Sequence, residues 1–205
     1  MNRSIANYSL DESRISSDPF KQFTRWLQEA AGRHEVLPET VTLATATRSG
    51  RPSVRTILLR AFDNSGLVFY TNYSGRKAKE LAENPQAALV LYWPRLGRQI
   101  RVEGRVSKIS VRKSDNYFST RPRDSQLSAW ASQQSRVVHD REFLEDRVMR
   151  YARKYPGRVP RPPNWGGYRL RPSVFEFWKE RPGRLHDRLR YRRLKGRWVV
   201  ERLAP

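Results

Sequence analysis

The chain has 205 residues, 38% of them hydrophobic, with six tryptophans, nine tyrosines and eight phenylalanines, a content that a disordered chain does not show. It has no cysteine, which excludes disulfides, a cysteine nucleophile, a thiolate zinc site and a cysteine-ligated iron–sulfur cluster, and fits a reducing compartment. Its 41 basic and 20 acidic side chains give a net charge of +21, spread along the chain, so polyanions, anionic surfaces and small phosphorylated ligands are the partners to weigh.

Residues 1–17 are polar and without periodicity, and read as a flexible N-terminal arm. Neither that arm nor any later run approaches the roughly 18 apolar residues of a membrane span, so a soluble, cytoplasmic protein without a membrane partner is expected. No linker or internal repeat divides residues 18–205, which read as a single domain.

Asp18 can cap a helix with Pro19 at its first position, and Phe20, Phe23, Trp26, Leu27 and Ala30 make one apolar stripe before Gly32. From Val41 the period changes. VTLATAT, PSVRTILLR and LVFYTN, separated by Ser49-Gly50 and by Asp63 to Gly66, read as a three-stranded antiparallel meander. Arg55 and Arg60 lie five apart in the second strand, so alternation sends them to opposite faces unless a bulge or bend intervenes; the plain reading is two solvated charges.

Ser74 or Gly75 begins a short helix with Arg76 and Lys77 in its first turn, Leu81 inward and Pro85 past its end. Cations there oppose the helix macrodipole by a few tenths to about 1 kcal/mol. Either an anion belongs beside them, where free backbone N–H groups would help to bind it, or the helix is indifferently basic. QAALVLYW and RQIRVEGRVSKIS are two more strands.

The stretch from Tyr117 to Ser135, YFSTRPRDSQLSAWASQQS, holds one phenol, two guanidinium groups, five serines and three glutamines, a composition that core packing does not explain. Tyr117, Arg121 and Ser125 recur every four residues; on one helix face they could converge on a single phosphate, with Arg121 supplying forked, charge-assisted donors. Pro122 ends the helix near Thr120 or Arg121, so Ser125 opens a new turn. A polar, solvated helix-to-loop junction is the alternative.

HDREFLEDRVMRYARKY then reads as an amphipathic helix carrying Phe143, Leu144, Val148 and Tyr151, followed by a proline-rich loop to Asn164. SVFEFWKE, RLHDRLRYRR and GRWVVERL read as three final strands. Many short strands with few helices indicate a mainly β fold with α (α+β), a closed or nearly closed antiparallel barrel with helices packed around it. No G-x-G spacing or glycine before a lysine supports a dinucleotide fingerprint or a P-loop. His34, His139 and His186 lie too far apart for metal-ligand spacing, and no nucleophile elbow supports a hydrolase built on Ser135, His186 and Asp187.

YFSTRPRDSQLSAWASQQS, with WGGYRLRP, EFWKERPGRLHDR and the final RLAP, resembles the pyridoxine (pyridoxamine) 5′-phosphate oxidases in the order and separation of its motifs, from about Asp18 to Pro205. The resemblance implies a homodimer of FMN-binding split β-barrels with FMN at the subunit interface. It also implies oxidation of pyridoxine 5′-phosphate or pyridoxamine 5′-phosphate to pyridoxal 5′-phosphate, by hydride transfer from C4′ to flavin N5 with O2 reduced to H2O2.

Carried over residue by residue, the implied FMN contacts are Arg55, Tyr70, Thr71, Arg76, Lys77, Gln99, Gln134, Ser135, Trp178 and Arg188. The implied substrate residues are Arg60, Tyr117, Arg121 and Ser125 near the phosphate, where Arg60 replaces the family's usual lysine, and Arg184 and His186 beside the pyridine ring as the catalytic pair. In a strand, residues two apart face the same way, which would aim Arg184 and His186 together and Leu185 toward the core. Arg3 and Tyr8 are candidates for a lid-like pair. Two readings compete: a nucleic-acid-binding protein, resting on the charge and on LHDRLRYRR, and a split-barrel flavoprotein acting on another compound such as a phenazine precursor. The intact RPRDSQLSAW and GRLHDR segments favour the vitamin B6 substrate.

Overall fold

The computed structural model describes residues 9–33 and 35–205; Arg3, Tyr8 and His34 lie outside them. Among the described residues one antiparallel sheet holds β1 (Thr40–Ala46), β2 (Pro52–Leu58), β3 (Ala61–Asp63), β4 (Gly66–Asn72), β5 (Gln86–Trp93), β6 (Arg98–Lys108), β7 (Trp165–Lys179), β8 (Asp187–Leu194) and β9 (Arg197–Arg202). The order is β2-β1-β5-β6-β7-β4-β3, with β8 added to β7 and β9 to β8.

β7 makes the sheet branch and curl. It pairs with β6 from Tyr168 to Lys179, while Trp165–Leu170 also pairs with β4 and Val174–Lys179 with β8. Between these halves the register slips opposite Glu103 and Gly104, leaving Ser173 as the extra residue of a bulge beside Pro172. A Cβ on Gly104 would stand 2.1 Å from the Arg171 carbonyl oxygen, so the close approach at the bend requires glycine. The two halves diverge into a curled half-barrel.

Its concave side is filled by Leu43, Leu67, Phe69, Leu89, Leu91, Ile100, Val102, Leu170, Phe175 and Phe177, all buried. The first helix, α1 (Pro19–Gly32), closes that core. Asp18 accepts the Phe20 N–H at 2.9 Å, and the predicted stripe packs edge-on, Phe20 against Phe175 and Trp26 against Phe177, with centroids 5.2 and 5.3 Å apart. Four further helices are α2 (Arg76–Glu83), α3 (Val111–Ser119), α4 (Arg123–Ala131) and α5 (Glu142–Lys154); α2 and α5 follow the sequence reading, whereas α4 starts at Arg123, before the turn expected at Ser125, and runs on as a full helix. Phe118, Leu127, Val159 and Trp165 form a second apolar cluster beneath α3 and α4; Phe143 of α5 is nearly half exposed and lies off the stripe predicted for it. No helix among the described residues is long and apolar enough to cross a membrane.

Three expectations are corrected. β2 pairs with β1 alone, and β4 pairs with β3 and β7, so the first strands are not a simple meander. The Leu59 N–H donates to the Glu39 carbonyl and the Arg60 N–H to the Val68 carbonyl, each at 2.9 Å, so the chain steps between the two edges of the curled sheet within two residues. Local alternation cannot distinguish a hairpin neighbour from a strand met across a barrel seam. β7 begins at Trp165 and not near Ser173; Gly166-Gly167 and Pro172 weaken the strand signal over its first half. Part of the expected N-terminal arm is docked: Leu10 is 5% exposed, its N–H donates to Asp187 Oδ2, and Tyr191 donates to the Ser16 carbonyl at 2.6 Å. One leucine and a few acidic residues facing basic β8 and β9 leave no periodic signal.

Candidate functional site

A cavity of about 370 Å³ opens between β4, the end of β2 and the α3–α4 junction. α3 ends at its cap residue Thr120, and Pro122 caps α4, so the helix breaks where the sequence predicts. Tyr117, Arg121 and Ser125 all line the cavity despite that break. Tyr117 stacks on Tyr70 with centroids 3.8 Å apart, both rings run nearly parallel to Trp165, and the Arg121 guanidinium lies 4.7 Å over the Trp165 ring.

The aromatic stack fixes Arg121 but leaves it unsatisfied. Its Nη1 is buried with no hydrogen-bond partner among the described residues. Burial lowers its pKa, and the like charge of Arg60 on the same wall adds to that effect. Two cations and two hydroxyls facing one cavity are the donor set of an anion site, and the orphaned Nη1 is a place for an anionic oxygen.

Lys77 enters the same cavity from α2, donating to Thr71 Oγ1 at 3.1 Å and Gln134 Oε1 at 2.7 Å. Burial lowers its pKa from 10.5 to about 8, helped by the Arg55 charge and opposed by Glu80. The unfolded chain therefore binds more protons than the folded one between pH 8 and 10.5, and stability rises with pH through that window. Lys77→Met is expected to flatten the rise, measured by urea unfolding at about pH 7.5 and about pH 9.5; an unchanged slope would show that Lys77 keeps its ordinary affinity for the proton.

Arg76 and Ser135 border an adjoining cavity of about 420 Å³ that shares Gln134 with the first. Ser135 has a φ of 70°, a left-handed conformation uncommon for serine. Arg55 lines neither cavity: its guanidinium lies beneath them, donating to the Leu43 carbonyl, Thr45, Ser53 and Glu80. It faces inward and Arg60 faces the cavity because the bend after Leu58 takes Arg60 out of the strand.

The remaining candidates form a second group. Gln99, Trp178 and Arg188 sit side by side across β6, β7 and β8. Arg188 donates to Glu176 Oε1 and to the Ala204 carbonyl, and His186 packs against Trp178 with ring centroids 4.7 Å apart. None of these residues lines the first cavity. They lie on the sheet face turned from the core, continuous through Tyr92, which pairs with Gln99, to Val90 and Val54. Tyr92 and Val54 are 56% and 67% exposed, so this face is unusually apolar for one turned to solvent.

Strand alternation does not explain Arg184 and His186. β8 starts at Asp187, and the pair lies in a tight turn in which Gly183 and Arg184 both have left-handed backbones, φ 67° and 63°. Leu185 is 74% exposed and does not turn toward the core. The Arg181 N–H donates to His186 Nδ1 at 3.1 Å, which leaves the neutral ring's proton on Nε2. Sequence reasoning also missed Trp165, which follows the proline-rich loop and was assigned to no element, and Glu80, which at short range is an ordinary i,i+4 partner of Arg76.

Comparison with known proteins gives the family of the chain. A family model described as pyridoxamine 5′-phosphate oxidase matches residues 28–155, and one described as the pyridoxine 5′-phosphate oxidase C-terminal dimerisation region matches residues 165–205. A pyridoxine/pyridoxamine 5′-phosphate oxidase of Rubrobacter xylanophilus is 52% identical over 208 residues, covering 100% of this chain and 95% of its own length. One of Gloeothece citriformis is 48% identical, covering 100% of both. Among solved structures, PhzG of Burkholderia lata 383, in complex with tetrahydrophenazine-1-carboxylic acid, superposes with a TM-score of 0.93 at 33% identity, covering 99% of this chain and 100% of its own.

Proposed function

The chain belongs to the pyridoxamine 5′-phosphate oxidase family, and on that premise we propose that it oxidises pyridoxine 5′-phosphate and pyridoxamine 5′-phosphate to pyridoxal 5′-phosphate. FMN, when bound, would supply the hydride acceptor, with O2 as the oxidant that restores it and leaves as H2O2. The residues fit its phosphate. Arg76 and Lys77 open α2, whose N-terminus has no side-chain cap, so cations and free backbone N–H groups stand together beside Thr71, Gln134 and Ser135.

The observation that carries the substrate reading is the buried Arg121 Nη1, without a hydrogen-bond partner among the described residues, on a wall shared with Arg60, Tyr117 and Ser125. A substrate phosphate would supply the missing acceptor and screen Arg121 from Arg60. Arg60 extends further than lysine would and offers a planar fork, so it can engage the same phosphate bidentately.

The match to a dimerisation region supports a homodimer. In our reading each site takes its cavity from one subunit and Gln99, Trp178, Arg184, His186 and Arg188 from the other. The exposed apolar face that carries Tyr92 and Val54 supports this arrangement, since it adjoins the second group and needs a cover. His186, with Nδ1 engaged by the Arg181 N–H and Nε2–H left to donate, and Arg184 would orient the pyridine ring and handle the proton at the C4′ substituent.

The likeness to PhzG favours a second reading, in which the same site oxidises a reduced phenazine carboxylate. A visible spectrum separates the two. The flavin band is expected to bleach when pyridoxine 5′-phosphate is added without oxygen and to return with air as pyridoxal 5′-phosphate appears. Bleaching by a dihydrophenazine carboxylate alone would move the chain to the second reading. Protein that neither copurifies with FMN nor binds it when supplied would restore the polyanion-binding alternative.

A further inference from the structure

Glu80 lies on α2 one turn after Arg76 and is 4% exposed. Its Oε2 accepts from Thr45 Oγ1, from Ser53 Oγ at 2.6 Å and from Arg55 Nη2 at 3.3 Å, and its Oε1 accepts from Arg76 Nε at 2.8 Å. Burial alone would raise its pKa, but the hydrogen bonds from Ser53, Thr45, Arg76 and Arg55 outweigh burial and hold it at about 2. The group is a fixed carboxylate on which β1, β2 and α2 converge.

The two arginines differ in what the carboxylate does to them. Arg55 is pulled inward and engaged on both Nη atoms. The Arg76 side chain is 56% exposed and tethered through Nε, and its Nη groups meet no protein acceptor among the described residues. The side chain borders the cavity that also holds Ser74, Gln134 and Ser135. A long exposed arginine is thus restrained before any ligand arrives, with its outer edge left free. Arg55, Arg76 and Lys77 gathered around the Glu80 carboxylate leave a local surplus of positive charge, the complement of a phosphate dianion.

We infer that Glu80 is a positioning residue for the phosphate of the cofactor: it aims Arg76 and anchors Arg55 beneath Lys77, so that the flavin's phosphate meets a preset cationic cradle. The inference rests on the FMN reading above. The experiment compares FMN with riboflavin, which lacks the phosphate, by titrating apoprotein and following quenching of flavin fluorescence.

Wild-type apoprotein is expected to prefer FMN. Glu80→Gln is expected to weaken FMN on the order of tenfold, about 1.4 kcal/mol, and to leave riboflavin unchanged. Arg76→Ala, at an exposed position that folding tolerates, is expected to lose the same preference even if the Glu80 variant does not fold. Equal weakening of both flavins in Glu80→Gln would make Glu80 a fold-holding residue and overturn the inference; so would tighter FMN binding, which would mean that the carboxylate repels the phosphate, or an unchanged preference in Arg76→Ala. A wild-type apoprotein without preference for FMN would instead remove the cofactor reading and the inference with it.

Discussion

Arg121→Met is expected to raise KM for pyridoxine 5′-phosphate on the order of a hundredfold or more, while the melting temperature of the substrate-free protein stays level or rises. A hydrogen bond between charged partners contributes about 1.5–3 kcal/mol, and a guanidinium can give a phosphate two of them, so losing the fork removes at least two powers of ten in affinity. Stability runs the other way. Arg121 is desolvated, lies near Arg60 and leaves Nη1 without an acceptor, so the folded protein holds it at a loss that substrate relieves. Its stacking on Trp165 opposes this by about 0.5–2 kcal/mol, and methionine keeps much of that packing through its own contact with the ring. Initial-rate kinetics and thermal unfolding of one variant test both halves. A KM within a few fold of wild type would take Arg121 out of the phosphate site, and a clear fall in melting temperature would show that the cation–π contact exceeds the cost of the buried charge.

What the sequence made legible follows from the range of the physics. Asp18-Pro19, Gly75 before Arg76, and Pro122 between two helices are capping and steric rules acting within four residues, and all three appear as read. The convergence of Tyr117, Arg121 and Ser125 survived the helix break because the turn at Pro122 keeps them on one wall. The pairing of β4 with β7 was not legible, since its partners lie about a hundred residues apart and both strands are buried on two sides, without alternation to show a face. Glu80 was hidden for a related reason: its hydroxyl donors, Thr45 and Ser53, come from 35 and 27 positions away, and at short range it is an ordinary i,i+4 partner of Arg76. Arg184 and His186 were named by resemblance, but the strand logic attached to them failed on Gly183, whose left-handed backbone starts a turn.

At substrate well below the raised KM of Arg121→Met, mixing it with His186→Ala is expected to restore activity that neither variant has alone. His186→Ala removes the Nε2–H donor, and a lost proton-handling group lowers turnover on the order of a hundredfold or more. FMN should be retained, since the Arg76, Lys77 and Gln134 cluster is untouched. Arg184→Ala should behave alike, and because alanine bears the same left-handed backbone strain as arginine, its effect reports the guanidinium. Arg121→Met is defective on the cavity wall, and none of the Gln99, Trp178 and His186 group borders that wall in one chain. If a site joins the wall of one subunit to the His186 turn of its partner, a hybrid of Arg121→Met with His186→Ala holds one doubly defective site and one intact site. Random reassociation makes about half the dimers hybrids, so about a quarter of wild-type activity should return, with substrate affinity like wild type. Differently tagged subunits, unfolded together, refolded with FMN and purified on both tags, give the hybrid directly. Hybrids confirmed by mass but no more active than their parents would mean that Arg121 and His186 act from the same chain, and the two-subunit site would be abandoned.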